Sequence, residues 1–375
     1  MVTTETLDIQ NKKAVNEFIR FPFEIYTDTP QWVPPILSDI RMMLDPKKHP
    51  FYEHSEAEFF VARKDGKMVG RIGAIENKPF NTYHNTHQAQ FYFFESIDDQ
   101  EVANALFERV FEWSRARGLN EVVGPKGLSL FDGYGILIEG FEHRQMMIMM
   151  NYNPPYYVKL VESLGFEKEV DFVSCYIPAS SFVLPDKVHR VAERVIEKGR
   201  FKVKSFDNKK DLVAWANRIG DAYNKSFINN WEYYPMSKRE IDYVVETIIT
   251  VANPKLIKIV LYDDEVVGFV LGFPDVSAAL QRAKGVLTPW ALVDLLIDMK
   301  RTKWVSLNGA GMLPQYQGLG GNALLYEEVY KTIHDFGFEH FELTQVAETA
   351  EQMRKDLITL GGKPYKNHRV YHKHI

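Results

Sequence analysis

The stretch Pro314-Gln315-Tyr316-Gln317-Gly318-Leu319-Gly320-Gly321 constrains the fold more than any other part of this chain. It follows an apolar, alternating run containing Trp304, Val305 and Leu307, which has the pattern of a strand. It precedes Asn322 to Phe336, which has the pattern of an amphipathic helix. A glycine-rich turn from strand to helix aims unpaired backbone N–H groups outward from the positive end of the helix dipole. Such a turn attracts a phosphate or pyrophosphate. Glycine suits it because a Cβ would block close approach to the backbone and disfavour positive φ. No Lys-Ser or Lys-Thr pair follows the glycines, which excludes a mononucleotide P-loop, and the spacing is not Gly-x-Gly-x-x-Gly. An ordinary tight turn is the plain alternative.

The same order of elements is written twice. In the second half, Leu256 to Leu261 and Val266 to Gly272 flank Asp263-Asp264 as a hairpin. After the loop helix, which ends near Gly337, come a strand over Phe338 to Val346 and a helix over Glu348 to Leu360 closed by Gly361-Gly362. A last strand covers Arg369 to His374. In the first half, Glu58 to Arg63 and Met68 to Ile75 flank Lys64-Asp65-Gly66. Ala89 to Phe94 follows as a strand, then a helix from about Asp99 to Arg117 with Val102, Leu106, Val110 and Trp113 in one stripe. Asn120 to Val123, Pro155 to Leu164 and Phe172 to Ile177 complete the set as strand, helix and strand. The joint falls near Pro178 to Pro185. In the first half the matching turn, Phe94 to Asp99, lacks glycine and carries three carboxylates, which would repel a pyrophosphate.

Composition bounds the class. A chain of 375 residues with 45% hydrophobic content supports two or three domains. A net charge of −5 gives no footprint for nucleic acid. The single cysteine, Cys175, excludes an intramolecular disulfide framework and sits in an apolar strand, so we expect it in the core. The polar N-terminus lacks a signal-peptide pattern, and no apolar run approaches the roughly 18 residues of a membrane span. We therefore expect a cytoplasmic chain. His372-x-His374 and the pair His84 and His87 have no Cys or carboxylate at a metal-like spacing, so no metal is expected.

The pattern Gln-x-x-Gly-x-Gly after a strand, at Gln315 to Gly320, resembles the acyl-CoA pyrophosphate loop of the GCN5-related N-acetyltransferase (GNAT) superfamily. That likeness covers roughly Phe201 to Ile375. With the repeated order it implies an α+β fold with a mixed sheet, built as two tandem acyl-CoA N-acyltransferase domains. Their expected limits are 1–180, degenerate and on the acceptor side, and 181–375, binding acyl-CoA. The segments Gln31-Trp32-Val33-Pro34-Pro35, His49-Pro50-Phe51, Val123-Gly124-Pro125 and Tyr152-Asn153-Pro154-Pro155-Tyr156-Tyr157 resemble a narrower bacterial N-acetyltransferase family similar to bacterial ceramide synthases. The arrangement is also similar to that of N-myristoyltransferases.

The resemblance implies transfer of an acetyl or longer acyl group from acyl-CoA to an amine, a sphingoid-type lipid amine being one candidate, with peripheral membrane contact if the acceptor is a lipid. Gln315, Gln317, Gly318, Leu319, Gly320 and Gly321 would hold the pyrophosphate, and Met312 and Leu313 would lie beside the pantetheine. The superfamily's frequent tyrosine acid has no counterpart, since Leu357 and Val161 occupy the two equivalent positions. Tyr326 and Tyr365 stay open as substitutes. Glu348, Glu342 and His368 are the candidate bases, and the N-myristoyltransferase likeness adds the Ile375 carboxylate. The missing tyrosine also suits a non-catalytic acyl-CoA or lipid binder. A tandem-fold aminoacyl-tRNA-dependent transferase is disfavoured by the acidic charge and the intact loop. Two inserts stand out: Gly124 to Pro155, with the run Met146-Met147-Ile148-Met149-Met150, and Pro274 to Lys303, with Leu287, Trp290, Leu292, Val293, Leu295, Leu296 and Met299 at helical spacing. The second could cover a long acyl chain or pack its apolar face on the body.

Overall fold

Strand-forming runs fall where alternation and turn residues put them. A computed structural model describes residues 1–146, 150–228, 230–231 and 233–375; the Met147-Ile148-Met149 part of the methionine run lies outside them. In the first half the strands are β1 (Val2–Thr6), β2 (Glu56–Lys64), β3 (Lys67–Glu76), β4 (Gln88–Ser96), β5 (Glu121–Gly124), β6 (Ile136–Glu139) and β7 (Glu167–Pro178). In the second they are β8 (Phe201–Lys204), β9 (Ile257–Tyr262), β10 (Glu265–Pro274), β11 (Trp304–Met312), β12 (His340–Ala347) and β13 (Lys363–His374). Asp65 and Gly66 take positive φ in the β2–β3 turn, as Asp263 and Asp264 do between β9 and β10, which is what two-residue hairpin turns demand.

The chain divides into two compact units. The first comprises Met1–Phe172, Leu280–Ala291 and Lys366–Ile375. Its strands run β1-β2-β3-β4-β5 and then the end of β13, whose Tyr371 to His374 pair antiparallel with Gly124 to Glu121. β4 and β5 are parallel, joined by the helix Gln100–Arg115. The predicted stripe holds: Val102, Leu106 and Val110 are fully buried and Trp113 nearly so, against Phe91, Phe107 and Phe166. The helix sits so close to β3 that a Cβ on Gly70 would lie 2.8 Å from Leu106 Cδ1.

The second unit comprises Val173–Ala279 and Leu292–Tyr365. Its strand order is β8-β9-β10-β11-β12, with the later part of β7 next to β12. β11 and β12 are parallel, joined by the helix Gly321–Asp335, which buries Leu324, Leu325 and Ile333 on Val267, Val305 and Phe341. Full burial of such a side chain is worth about 1.5–3 kcal/mol. Each unit thus takes the later part of the closing strand of the other half of the chain, an exchange that a reading in chain order does not foresee. Cys175 is buried in β7 as expected, and burial raises its thiol pKa.

Candidate functional site

The parallel ladder between β11 and β12 runs from Trp304↔His340 to Leu307↔Leu343, while β11 continues to Met312 and β12 to Ala347. Two backbone features sit just past its end. The register of β11 on β10 slips between Leu307 and Ala310, where Gly309 has φ 145, so β11 carries a bulge as it leaves β12. On β12, Gln345 takes φ 48 and donates its N–H to Ser174 Oγ of β7.

The loop that follows β11 is held from below and open above. Met312 and Leu313 are buried in the core, and Leu313 donates its N–H to Val267 O. The Gln317 side chain donates to Met312 O, and Tyr316 packs on Tyr262 while donating its hydroxyl to Glu265. Gln315, Gln317, Gly318 and Leu319 are exposed. Gly318 has φ 74, with no atom within 4 Å of where a Cβ would stand. Gly320, the N-cap of the following helix, has φ 94, and a Cβ there would lie 2.5 Å from Val195 Cγ2. A Cβ on Gly321 would lie 2.7 Å from Met312 Cε. The glycines therefore serve different ends. Gly320 and Gly321 let the helix start close to the helix Asp186–Glu197 and to Met312, whereas Gly318 keeps the outer side of the turn bare. Among the described residues no side chain caps this helix, and no acid lies in its first turn, so its N-terminal N–H groups have neither a capping side chain nor a carboxylate of their own turn.

The matching turn of the first unit is closed. Asp99 caps the helix Gln100–Arg115 through the Glu101 N–H and binds Lys64 at 3.0 Å. Glu95, which the sequence places in that turn, is instead inside β4. It accepts hydroxyls from Tyr26 and Tyr157 at 2.8 Å, with Arg71 at 3.7 Å. The Ser96 N–H is taken by Tyr157 Oη, and the Lys126 N–H by Phe91 O where β4 and β5 part.

The candidate bases fall in separate settings. Glu342 is fully buried on β12 opposite Ser306, one step before the strands part. Tyr365 hydrogen-bonds to it, and its hydroxyl pKa is driven far above the usual tyrosine range by burial first and by the Glu342 charge second, with Asp275 adding to the effect. Ser306 Oγ lies 2.8 Å from Thr344 Oγ1, and Tyr176 Oη lies 2.7 Å from His340 Nδ1. These groups form a buried to half-buried polar row on the side of β11 and β12 away from Val305, Leu307 and Phe341. Of this row the sequence reading found Glu342 and Tyr365 but missed Asp275, Ser306, Thr344 and Tyr176. Its visible signal is that Ser306 and Glu342 each interrupt an apolar run.

Glu348 stays in the turn after β12, because the next helix starts at Glu351 rather than at Glu348. It is half-buried, and its carbonyl faces Arg354. His368 lies in the first unit, fully buried, with Nε2 3.0 Å from Asn151 O. Burial lowers its pKa to about 4, so the ring is neutral and Nε2 carries the proton donated to that carbonyl. Tyr326 donates to Asp356, and Ile375 donates its N–H to Asn120 O within the first unit.

Pairing across the sheet supplies His372 and His374 with the carboxylate that their sequence neighbourhood lacks. Glu121 of β5 lies 3.1 Å from His372 Nδ1 and 3.8 Å from His374 Nε2. The insert Pro274 to Lys303 forms the helices Ser277–Ala283 and Pro289–Arg301, and in the longer one only Leu295 is buried. No helix among the described residues is long and apolar enough to cross a membrane.

Two repeats of hairpin, strand, helix and parallel strand, with the second pair of parallel strands parting beside a glycine-lined helix start, define a tandem GNAT fold. A tandem GNAT protein from the clavulanic acid biosynthesis pathway superposes with a TM-score of 0.56 at 11% identity, covering 100% of this chain and 98% of that one. A GCN5-related N-acetyltransferase from Sphaerobacter thermophilus superposes with a TM-score of 0.51 at 13% identity, covering 100% and 95%. In sequence the chain is similar to protein YghO of Escherichia coli strain K12, 26% identical over 371 residues, covering 97% of this chain and 94% of that protein. It is similar to the bacterial ceramide synthase of Caulobacter vibrioides, 26% identical over 378 residues, covering 98% and 96%. No family model matches.

Proposed function

We propose that the protein is an acyl-CoA-dependent N-acyltransferase that moves an acyl group to the amine of a sphingoid-type lipid. The observation that carries the donor half is the uncapped, acid-free helix start at Gly320, fronted by the bare outer side of Gly318 and set beside the parting of β11 and β12. An anion there is stabilised by the free N–H groups and the helix dipole. The N–H groups of Gly318 to Gly321 would take the pyrophosphate, and the pantetheine would run beside the end of β11 at Met312. The side chains of Met312 and Leu313 are spent in the core, so any contact they make with the donor is through backbone.

The chemistry asks for a base. The amine nitrogen attacks the thioester carbon, the carbon–sulfur bond breaks, and the ammonium proton must leave. Glu342 with Tyr365 fits that task among the candidates. Tyr365 can receive the amine proton as it passes its own to Glu342, and a tyrosine kept protonated at neutral pH can return it to the departing thiolate. His368 is neutral at pH 7, its buried Nδ1 has no hydrogen-bond partner among the described residues, and it is the second candidate base. The first unit lacks the donor features and is proposed to serve the acceptor. The lipid amine is supported by the full-length similarity to the ceramide synthase.

The test is release of free thiol from acetyl-CoA and palmitoyl-CoA, with and without a sphingoid base. Amine-dependent release with palmitoyl-CoA is expected. Tight acyl-CoA binding without release across an amine panel would favour a non-catalytic binder, the reading that Leu357 in place of the tyrosine acid suggests.

A further inference from the structure

The helix Pro289–Arg301 is folded with its polarity reversed. Its start is conventional: Thr288 Oγ1 accepts the Ala291 N–H and Pro289 occupies the first helical position. Beyond that, its large apolar side chains face outward. Trp290 is 83% exposed, and Leu292, Val293, Leu296 and Ile297 are all exposed. The spacing of Leu292, Val293, Leu296 and Ile297 places them on one face, which Lys300 continues. Asp294 and Asp298, at the spacing of the opposite face, are half-buried together with the buried Leu295. A helix packed on its own protein in water shows the opposite pattern, with the apolar stripe inward and the acids outward. The other exposed large apolar residues among those described are dispersed along the chain; nowhere else do five fall within eight residues. A patch of this kind marks a surface that meets something other than water.

Charge says what that something is. The last turn carries Lys300 and Arg301, both exposed. The acids of the helix are turned away from the same face. Aliphatic side chains and a tryptophan in the middle, cations at the end and no acid on the outer side match the boundary of an anionic bilayer, where indole sits at headgroup level and lysine and arginine meet phosphate. We propose that this helix lies flat on the surface of an anionic phospholipid membrane, with Trp290, Leu292, Val293, Leu296 and Ile297 entering the headgroup boundary. A surface-lying helix needs no membrane-spanning length, and this one has 13 residues. The anchoring does not depend on the acyl-transfer reading.

The experiment is cosedimentation of the full chain with vesicles of phosphatidylcholine containing about one-third phosphatidylglycerol, and with phosphatidylcholine alone. Wild type is expected to partition to the anionic vesicles. Trp290→Ser with Leu296→Glu should weaken that partition by about tenfold or more. Lys300→Glu with Arg301→Glu should remove the preference for anionic over neutral vesicles. All the altered side chains are exposed, so both variants should titrate CoA as wild type does, and that titration separates failure of this proposal from failure of the donor site. Equal partition of wild type and the Trp290→Ser, Leu296→Glu variant would overturn the proposal. So would a wild-type chain that ignores vesicles but forms a dimer by light scattering that Leu296→Glu dissociates, since a second copy would then cover the face.

Discussion

At the residue scale, Gly318, Gly320, Glu342 and His368 carry distinct burdens. Gly318 keeps positive φ with nothing near its missing Cβ, so Gly318→Glu costs only the left-handed strain of about 1–2 kcal/mol while setting a carboxylate before the helix start. Acyl-CoA affinity should fall at least about tenfold in a calorimetric titration with the fold intact. Gly320→Ala, by contrast, drives a Cβ into Val195 and should destabilise the second unit itself, seen as a lowered melting temperature. Glu342→Gln keeps the shape beside Tyr365 but removes the base, so kcat for thiol release should drop about 10²–10⁴-fold with the KM for acyl-CoA little changed. An unchanged kcat would move the base elsewhere. His368 has a folded pKa of about 4 against an ordinary 6.5, so the unfolded chain binds its proton first. Stability should therefore fall as pH drops from 6.5 toward 4, by up to about 1.4 kcal/mol per pH unit from this group. His368→Gln should flatten that part of a denaturant-midpoint against pH curve. The glycine loop was legible because its demand is local. The polar surroundings of Glu342 were not, because Ser306 is set opposite it only by the pairing of β11 with β12.

At the element scale, most of the strands and helices announce themselves by period and turn residues. The stripe Val102, Leu106, Val110, Trp113 is buried as read, and both hairpins turn on the Asp and Gly residues that admit positive φ. The failures have physical causes. The sequence puts Glu95 in the turn before a helix, yet β4 runs on to Ser96 and buries it among Tyr26, Tyr157 and Arg71. The apolar residues of Pro289–Arg301 have helical spacing, but spacing alone does not say which medium they face. Gly70 shows how tightly helix and sheet fit in the first unit. Gly70→Ala should cost about 1–3 kcal/mol by overpacking against Val102 and Leu106, measured by chemical denaturation.

At the scale of the whole molecule, the repeated order of elements was readable in the sequence, whereas the exchange of closing strands was not, since the strands that β7 and β13 pair with are set by contacts between residues far apart in the chain. The two units put the same architecture to different ends. In the second, an acid-free helix start stands beside parted strands; in the first, Asp99, Lys64 and Tyr157 fill the equivalent places with the protein's own groups. That asymmetry is the central claim, and amide hydrogen exchange with and without CoA tests it most directly. Binding at about a hundred times Kd is worth roughly 2.7 kcal/mol and should appear as slowed exchange at Gln317 to Ala323. Protection at Ser96 to Val102 instead, or no difference between the two turns, would contradict the account.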